Sequence, residues 1–185
     1  MPTRDVWKHG GGRSLQDLLS SALLSLLLPG PAGPPVYFAS PWMSDFALFS
    51  NAAREVADVF PEQEEQASIR FVDFLGAAAA RHAVRIITTS NRTSDAFLER
   101  LRPIALRSSD AITARLAPHE THEKGILAPG FYIDGSMNIT RMGVHVNGEK
   151  ISYDAGGPSG SARVAGAYLE FDRRWRLLES AEVRW

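Results

Sequence analysis

Four residues in one short stretch carry side chains suited to chemistry on a phosphate: His122, Lys124, Ser136 and Asn138. The imidazole of a histidine, with a pKa of ~6.5, can act as a nucleophile or as a general acid near neutral pH. An ammonium and a carboxamide can hold the non-bridging oxygens of a phosphate and stabilise the charge that develops on them. The set therefore indicates cleavage of a phosphodiester that requires no metal and no other cofactor.

The segment between these residues predicts a β-hairpin. Two apolar runs, Gly125–Leu127 and Phe131–Asp134, flank a Pro129-Gly130 turn. Because side chains alternate along a strand with a period of two, the His-x-Lys pair shares one face, and the Ser-x-Asn pair shares one face as well.

The length of the turn decides whether the two pairs meet. A two-residue loop would place His122 opposite Met137 and would point Ser136 away from the site. A three-residue connection or a bulge would instead bring Ser136 beside His122. We therefore expect an irregularity in this hairpin, with Gly135 also allowing the backbone to approach a ligand closely.

A nucleophilic histidine also needs a hydrogen-bond acceptor on its second ring nitrogen, because that contact fixes the tautomer and the ring orientation. The sequence Asn147-Gly-Glu149 supplies the carboxylate that we favour for this role. The other acidic side chains in the region are Glu120, Glu123 and Asp134.

The elements that must position these residues alternate between strand and helix patterns. This alternation predicts a layered α/β fold, in one domain over residues 1–185 with the motif in 119–153. Further strands are predicted at Val36–Ala39, Val84–Thr89, Ile112–Leu116 and Val144–Tyr153. Helices are predicted from Ser14 to Leu27, from the acidic Pro61–Glu65 segment to Arg81, from Asp95 to Arg102 before Pro103, and through Val164 to Trp175.

The loop Ser40–Asp45 follows the first predicted central strand. In α/β sheets, loops at the carboxyl ends of strands contact ligands. Two interpretations of this loop remain open. In the first, Trp42 and Asp45 line a substrate cleft. In the second, Trp42 only packs against the protein and Asp45 caps the segment that begins at Phe46.

Composition and charge restrict the classes of function. The chain has 185 residues, a net charge of −1, 44% hydrophobic residues and no cysteine. The absence of cysteine excludes a thiolate nucleophile, a disulfide framework and a cysteine-ligated metal site. A generic nucleic-acid binder carries a basic excess that this chain lacks, so any such surface must be local. Five arginines admit two interpretations: they form a local cationic face around the cleft, or they are ordinary solvated charges. They are Arg85, Arg92, Arg107, Arg115 and Arg141.

The Leu-rich residues 15–28 admit two interpretations. The run resembles the apolar part of a signal peptide, but Gln16 and Asp17 interrupt it and no small-residue cleavage site follows. It is also shorter than the ~20 apolar residues of a membrane span. We expect a buried first helix in a cytoplasmic protein without membrane association.

The site residues resemble the signature of the phospholipase D superfamily, His-x-Lys followed by Gly-Ser-x-Asn, here His122-x-Lys124 and Gly135-Ser-x-Asn138. Asn147-Gly-Glu149 resembles the Asn-x-Glu of its compact, nuclease-like members. The Ser40–Asp45 loop also resembles this superfamily, particularly the members encoded with deazapurine-DNA modification clusters. The resemblance spans most of residues 14–153.

The resemblance implies an α/β/α sandwich, that is, a mixed β-sheet flanked by helices on both faces in a single phospholipase D-like domain. It also implies a phosphohistidine intermediate on His122. It implies that Lys124 and Asn138 are phosphate ligands, that Ser136 is an auxiliary donor and that Glu149 orients the imidazole. Members of the superfamily use two histidines, one that attacks and one that protonates the leaving oxygen. A chain with one motif is therefore expected to form a homodimer with both copies of His122 at the interface.

One position departs from the superfamily motif. An Asp is expected five residues after the Lys, and this chain has Pro129 there, with the distance to Gly-Ser one residue shorter. The departure leaves open a catalytically degenerate protein, either a nucleic-acid-binding module or a structural subunit of a larger modification or defence complex. A metal site formed by His119, His122 and a carboxylate is a third interpretation.

The expected substrate is nucleic acid, most directly DNA. The chain is much shorter than phospholipases with two motifs, and it contains no evident amphipathic membrane helix. Both features favour nucleic acid over phospholipid.

Overall fold

The centre of the protein is a seven-stranded mixed sheet, and its helices cover both faces, which confirms the predicted fold class. The computed structural model describes residues 3–7, 14–30, 33–51, 59–60, 63, 65–157 and 161–185. Within these ranges the strands are β1 (Arg4–Trp7), β2 (Val36–Ala39), β3 (Ala47–Ser50), β4 (Ser68–Arg70), β5 (Val84–Thr89), β6 (Ile112–Ala117), β7 (Gly125–Ala128), β8 (Phe131–Gly135) and β9 (Lys150–Ala155). The α-helices are α1 (Ser14–Ser25), α2 (Phe71–Ala79), α3 (Arg92–Arg107) and α4 (Ala162–Leu177).

The strand order in the sheet is β1-β9-β8-β7-β2-β5-β6, and β3 and β4 form a separate two-stranded sheet. The strands β2, β5 and β6 are parallel, whereas β2–β7, β7–β8, β8–β9 and β1–β9 are antiparallel pairs. The carboxyl ends of β2, β5, β6 and β8 therefore lie at the same end of the sheet as the amino ends of β7 and β9. We call this the site end of the sheet.

The two faces of the sheet bury different cores because side chains alternate along each strand. On β2, Phe38 contacts the rings of Phe71 and Phe74 from α2, in the larger core to which α1, α2 and α3 contribute. The adjacent Tyr37 points to the opposite face, where α4 supplies Phe171 and Trp175. The helix α4 therefore covers one face and the other three helices cover the other.

The predicted first helix is confirmed as a buried element. In α1 the side chains of Leu15, Leu19, Ala22 and Leu23 are all buried. Across the described residues, no helix combines the length and the apolar character that crossing a bilayer would require.

The helix predicted from the acidic Pro61–Glu65 segment starts later than expected. Residues 61, 62 and 64 lie outside the described residues, and Ser68–Arg70 form strand β4, which pairs with β3. The helix itself begins at Phe71, where the Asp73 carboxylate accepts a hydrogen bond from the Arg70 backbone N–H at 3.1 Å. The acidic residue that favours the helix start is therefore Asp73.

The helix predicted to stop before Pro103 continues to Arg107. A proline inside a helix removes one backbone hydrogen bond and costs about 3 kcal/mol. Here the proline itself is exposed, while Leu101 and Ala105 on either side of it are buried against the core. Tertiary packing of the flanking residues thus overrides the local preference.

The strand predicted over Val144–Tyr153 is wrong in its first half. Residues Met142–Val146 form a π-helix, and β9 begins only at Lys150. A Cβ atom on Gly143 would lie 2.2 Å from the carbonyl oxygen of Asn138, so the chain can coil this tightly only with a glycine there. The π-helix is held by His145, whose ring nitrogens contact the Ala47 carbonyl oxygen at 2.9 Å and the Gln16 side chain at 3.0 Å.

Beneath α4, the buried Tyr37 bonds to two partly exposed charged residues. Its hydroxyl donates to the carboxylate of Asp172 on α4 and accepts a hydrogen bond from the guanidinium of Arg85 on β5. Burial, followed by the hydrogen bond to Asp172, raises the pKa of Tyr37 to about 12. This network joins β2, β5 and α4 on the α4 face of the sheet.

Candidate functional site

The His-x-Lys pair lies at the site end of the sheet, immediately before β7. His122 is exposed, and Lys124 is half-buried beside Gly125, which pairs with Ala39 at the carboxyl end of β2. The ammonium of Lys124 donates to the carbonyl oxygen of His122 at 2.6 Å. Both groups are therefore placed where the β2 loop and the β8 end also converge.

The β7–β8 hairpin is regular, so the predicted irregularity in its turn is wrong. Ala128 pairs with Phe131 and Gly125 pairs with Asp134, with no register shift between them and a two-residue Pro129-Gly130 loop. Extending this register places residue 122 opposite residue 137.

Pro129 lies at the opposite end of the sheet from the site. With a rise of about 3.3 Å per residue, the five residue steps from Lys124 through β7 to Pro129 separate the two by about 16 Å. The turn packs instead against the chain near Gly33 and Gly157, where a Cβ atom on Gly157 would lie 2.8 Å from the Pro129 carbonyl oxygen. The proline that replaces the motif Asp therefore shapes the far turn and does not contact the His-x-Lys pair.

Gly135 brings two strands close together, whereas the sequence suggested that it would approach a ligand. Its φ is +146°, and a Cβ atom there would lie 2.2 Å from the carbonyl oxygen of Lys150 on β9. The next residue, Ser136, donates its backbone N–H to that same oxygen at 3.0 Å. The close approach is thus to the β9 backbone.

Ser136 and Glu149 are brought into contact at the start of β9. The Ser136 hydroxyl donates to the Glu149 carboxylate and accepts from the Lys150 backbone N–H at 3.1 Å. The amide of Asn147 donates to the same carboxylate at 3.5 Å. In the described chain the Glu149 carboxylate therefore binds Ser136, and its predicted contact with the His122 imidazole stays a prediction.

Asn138 is fixed by the loop that follows β2. The Ser40 hydroxyl contacts the side-chain oxygen of Asn138 at 3.3 Å and accepts from the Ile139 backbone N–H at 3.1 Å. Ile139 also forms a parallel bridge with Met43, and its carbonyl accepts from the Ser44 N–H at 3.0 Å. The single hydrogen of the Ser40 hydroxyl is donated over the shorter distance to the Trp42 carbonyl, at 2.7 Å, so the backbone contacts of Ile139 are what hold Asn138 beside this loop. Ser40 was not recognised in the sequence, since a single serine after a strand carries no distinctive pattern.

Trp42 and Asp45, the two residues of the β2 loop whose roles the sequence left undecided, have different environments. Trp42 is 56% exposed. Its loop is anchored by the Pro41 carbonyl, which accepts hydrogen bonds from Thr89 at 2.8 Å and Asn91 at 2.9 Å. A rigid loop therefore presents this indole to solvent near Asn138.

The Asp45 carboxylate is buried and contacts other parts of the protein. Its side chain is 3% exposed and forms ion pairs with Arg70 at 2.5 Å and Arg100 at 3.4 Å. It also accepts from the Val72 backbone N–H at 3.3 Å. These contacts tie the β2 loop to the start of α2 and to α3, and they leave no open carboxylate for a substrate.

Only some of the arginines proposed as a cationic face lie near the site. Arg85 binds Asp172 at 3.2 Å and Arg115 binds Glu182 at 2.8 Å, both on the α4 face. Arg107 lines a cleft of about 480 Å³ that also borders α2. The two that lie at the site end are Arg92, at the start of α3, and Arg141, after Asn138.

The carboxylate between His122 and Lys124 faces α4. Glu123 forms an ion pair with Arg174, a residue of α4, and the two side chains are 35% and 20% exposed. His119 is exposed in the same loop. Within the described ranges, no three metal-ligating side chains come together to hold an ion, so His119, His122 and a carboxylate do not form such a cluster.

Comparison with known proteins identifies this arrangement as a known fold. No family model matches the chain, and no curated protein sequence matches it. Nuc from Salmonella typhimurium, a phospholipase D family member, matches with a TM-score of 0.59 and 16% identity over 100% of this chain and 97% of that one. NucT from Helicobacter pylori matches with a TM-score of 0.53 and 12% identity over 100% of both chains. TrmBL2, an archaeal chromatin protein with a novel mode of DNA binding, matches with a TM-score of 0.51 and 13% identity over 97% of this chain and 54% of that one. The chain therefore has a phospholipase D-like fold.

Proposed function

We propose that the protein is a phosphodiesterase that cleaves DNA without a metal ion and uses His122 as its nucleophile. The observation that carries this proposal is the convergence of three loops at the site end of a phospholipase D-like sheet. They bring the exposed imidazole and the ammonium before β7 to the same end as the amide of Asn138 after β8. These are the groups that the chemistry requires.

The reaction takes place in two displacement steps. A ring nitrogen of His122 attacks phosphorus, and the bond from phosphorus to the leaving oxygen breaks as the phosphorus–nitrogen bond forms. A second imidazole gives its proton to the leaving oxygen. That imidazole then takes a proton from water, whose oxygen displaces His122 and releases a phosphate monoester. Lys124 and Asn138 hold the non-bridging oxygens in both steps.

The second imidazole is supplied by His122 of another copy of the chain. A two-fold axis that brings the site ends of two sheets together would place each imidazole opposite the other. Met142 and Val146 support this arrangement, since both are 49% exposed in the π-helix that closely follows Asn138. Apolar side chains in such a position are suited to an interface between protomers.

The groups around the site favour DNA as the substrate. Arg92 and Arg141 are exposed cations at the site end, and cations of this kind bind backbone phosphates. Trp42 presents an exposed indole on a rigid loop, and aromatic side chains stack with unpaired bases. Among proteins of the same fold, TrmBL2 is described as binding DNA. Glu149 and Ser136 are assigned to the proposed site as the orienting carboxylate and the auxiliary donor. Because the regular hairpin register would point Ser136 away from His122, this assignment requires the chain to leave that register at Gly135, whose φ is +146°.

The test is cleavage of fluorescent DNA in EDTA, combined with trapping of the intermediate. Wild-type protein quenched during turnover on DNA that carries ³²P at internal phosphates should carry an acid-labile, alkali-stable label on His122, whichever DNA fragment stays attached to the phosphorus. His122→Ala should abolish both cleavage and labelling. The matched control is His119→Ala, which removes an exposed imidazole from the same loop and should retain both.

Two results would count against this function. Activity that appears only after a divalent metal is added would exclude the metal-free mechanism. Cleavage that survives in His122→Ala would exclude His122 as the nucleophile. Mixing His122→Ala protomers with wild-type protomers tests the shared site, since hybrid dimers should lose activity in proportion to their abundance.

A non-catalytic function is the second candidate, as a DNA-binding subunit of a modification or defence complex. Two observations favour it: the same fold occurs in a chromatin protein, and the Glu149 carboxylate binds Ser136. This function predicts equal DNA affinity for wild-type protein and His122→Ala in fluorescence anisotropy, with no cleavage by either protein. Any metal-independent turnover lost in His122→Ala would exclude it.

A further inference from the structure

The residue between the proposed nucleophile and the lysine points away from the lysine. Gly125, the first residue of β7, faces α4, because a Cβ atom there would lie 3.3 Å from the ring of Phe171. Glu123, two residues earlier, faces α4 as well, whereas Lys124 lines a small cavity with Ile126 and Ile133. The ion pair between Glu123 and Arg174 of α4 follows from this alternation.

The loop that carries His122 has few other anchors in the described structure. Residues 118–124 lack regular secondary structure, and inside the loop the Thr121 N–H donates to the Pro118 carbonyl at 3.0 Å. The Lys124 ammonium binds the His122 carbonyl, which is again a contact within the loop. The Glu123–Arg174 pair instead reaches a helix whose Phe171 and Trp175 are buried. It links the loop to a rigid element.

The pair also removes an unfavourable charge. A free carboxylate between the nucleophile and a phosphate ligand would repel an anionic substrate. Arg174 is 20% exposed and Glu123 is 35% exposed, so their mutual attraction is less screened than that of a fully exposed pair. One ion pair thus serves both the geometry and the charge of the site.

We propose that Glu123 and Arg174 are a positioning pair that anchors residues 118–124 to α4 and thereby sets the position of His122 and Lys124. The proposal rests on the proposed function for its catalytic consequence, and the anchoring itself is a property of the free protein. Arg174 acts through the loop and does not touch the substrate.

Charge exchange between the two positions tests the pair. Glu123→Ala and Arg174→Ala should each lower kcat at least ~10-fold with KM changed less than ~3-fold, because a small displacement of the nucleophile slows the chemical step more than it weakens binding. The double variant Glu123→Arg/Arg174→Glu should recover kcat to within ~3-fold of wild type, since the anchor is restored. Arg173→Ala is the matched control, because this neighbouring arginine is 71% exposed and should leave kcat unchanged.

A measurement on the protein without substrate tests whether the ion pair anchors the loop, independently of any catalytic activity. The ¹⁵N order parameters of the His122 and Lys124 amides should fall from ~0.85 to below ~0.6 in each single variant and return in the double variant. If wild-type protein shows no turnover, the proposed function fails, and the order parameters alone decide whether the Glu123–Arg174 pair anchors the loop. Unchanged order parameters in both single variants would overturn the proposal, as would an exchanged pair no better than the single variants.

Discussion

Replacing Gly135 with alanine is expected to destabilise the protein strongly through strands β8 and β9. A non-glycine residue at the observed φ of +146° is strained, which costs of the order of 1–3 kcal/mol. The new Cβ atom would also lie 2.2 Å from the Lys150 carbonyl oxygen, so the two strands must separate. Separation weakens the hydrogen bond from the Ser136 N–H to that oxygen, which contributes about 1 kcal/mol. The expected loss in free energy of unfolding is about 2–4 kcal/mol.

Gly130→Ala provides a matched control in the same hairpin. A Cβ atom on Gly130 meets no other atom within 4 Å, so this change should alter stability by less than about 1 kcal/mol. Urea unfolding followed by circular dichroism measures both variants. With a slope of about 2 kcal/mol per M, Gly135→Ala should lower the midpoint by about 1–2 M. Equal midpoints for the two variants would refute the close packing of β8 against β9.

Two further predictions concern pH and the β2 loop. Because the pKa of Tyr37 is raised to about 12 while an unfolded tyrosine ionises near 10, its contribution of about 3 kcal/mol is present below pH 10 and is lost as the pH rises through 12. Urea unfolding at pH 9 and pH 12 should show this loss, and Tyr37→Phe should reduce it by that amount; an equal loss in the variant would contradict the assignment. Asp45→Asn should lower the free energy of unfolding by about 2 kcal/mol, because it removes the charge of a buried carboxylate that pairs with the partly exposed guanidinium groups of Arg70 and Arg100. Asp110→Asn, at an exposed site, should change it by less than about 0.5 kcal/mol. DNA affinity measured on folded Asp45→Asn should equal that of wild type, and a clear loss of affinity would restore the substrate-binding role.

The strands of the sheet could be predicted from sequence because their residues are locally consistent. Val84–Thr89 and Ile112–Ala117 are rich in β-branched and apolar residues, and both were predicted within one residue of their observed bounds. The π-helix at Met142–Val146 could not be predicted, because alternating valines also fit a strand. Gly143 permits the coil, because it lies too close to the Asn138 carbonyl for a side chain, and His145 holds it through contacts with Ala47 and Gln16, which depend on the fold.

The site itself was only partly predictable. The spacing of His122 and Lys124 indicates one face and one chemistry, since it depends on the local strand period alone. The partners that fix the site are distant in sequence, as Ser40 is from Asn138 and Arg174 is from Glu123. Such contacts depend on strand order and helix placement, and no local pattern encodes them.

The position of β2 has a consequence for folding. The strands β7, β8 and β9 form a meander whose partners are close in sequence, whereas the pairing of β2 with β7 joins Tyr37 to Leu127 across the length of the domain. Contacts between residues near in sequence form faster than distant ones, because less chain must be closed into a loop. We expect the meander to assemble early and the β2–β7 pairing to form late. The Ser40 contact to Asn138 would then be among the last made, so the candidate site at the end of the sheet is completed only when the whole chain has folded.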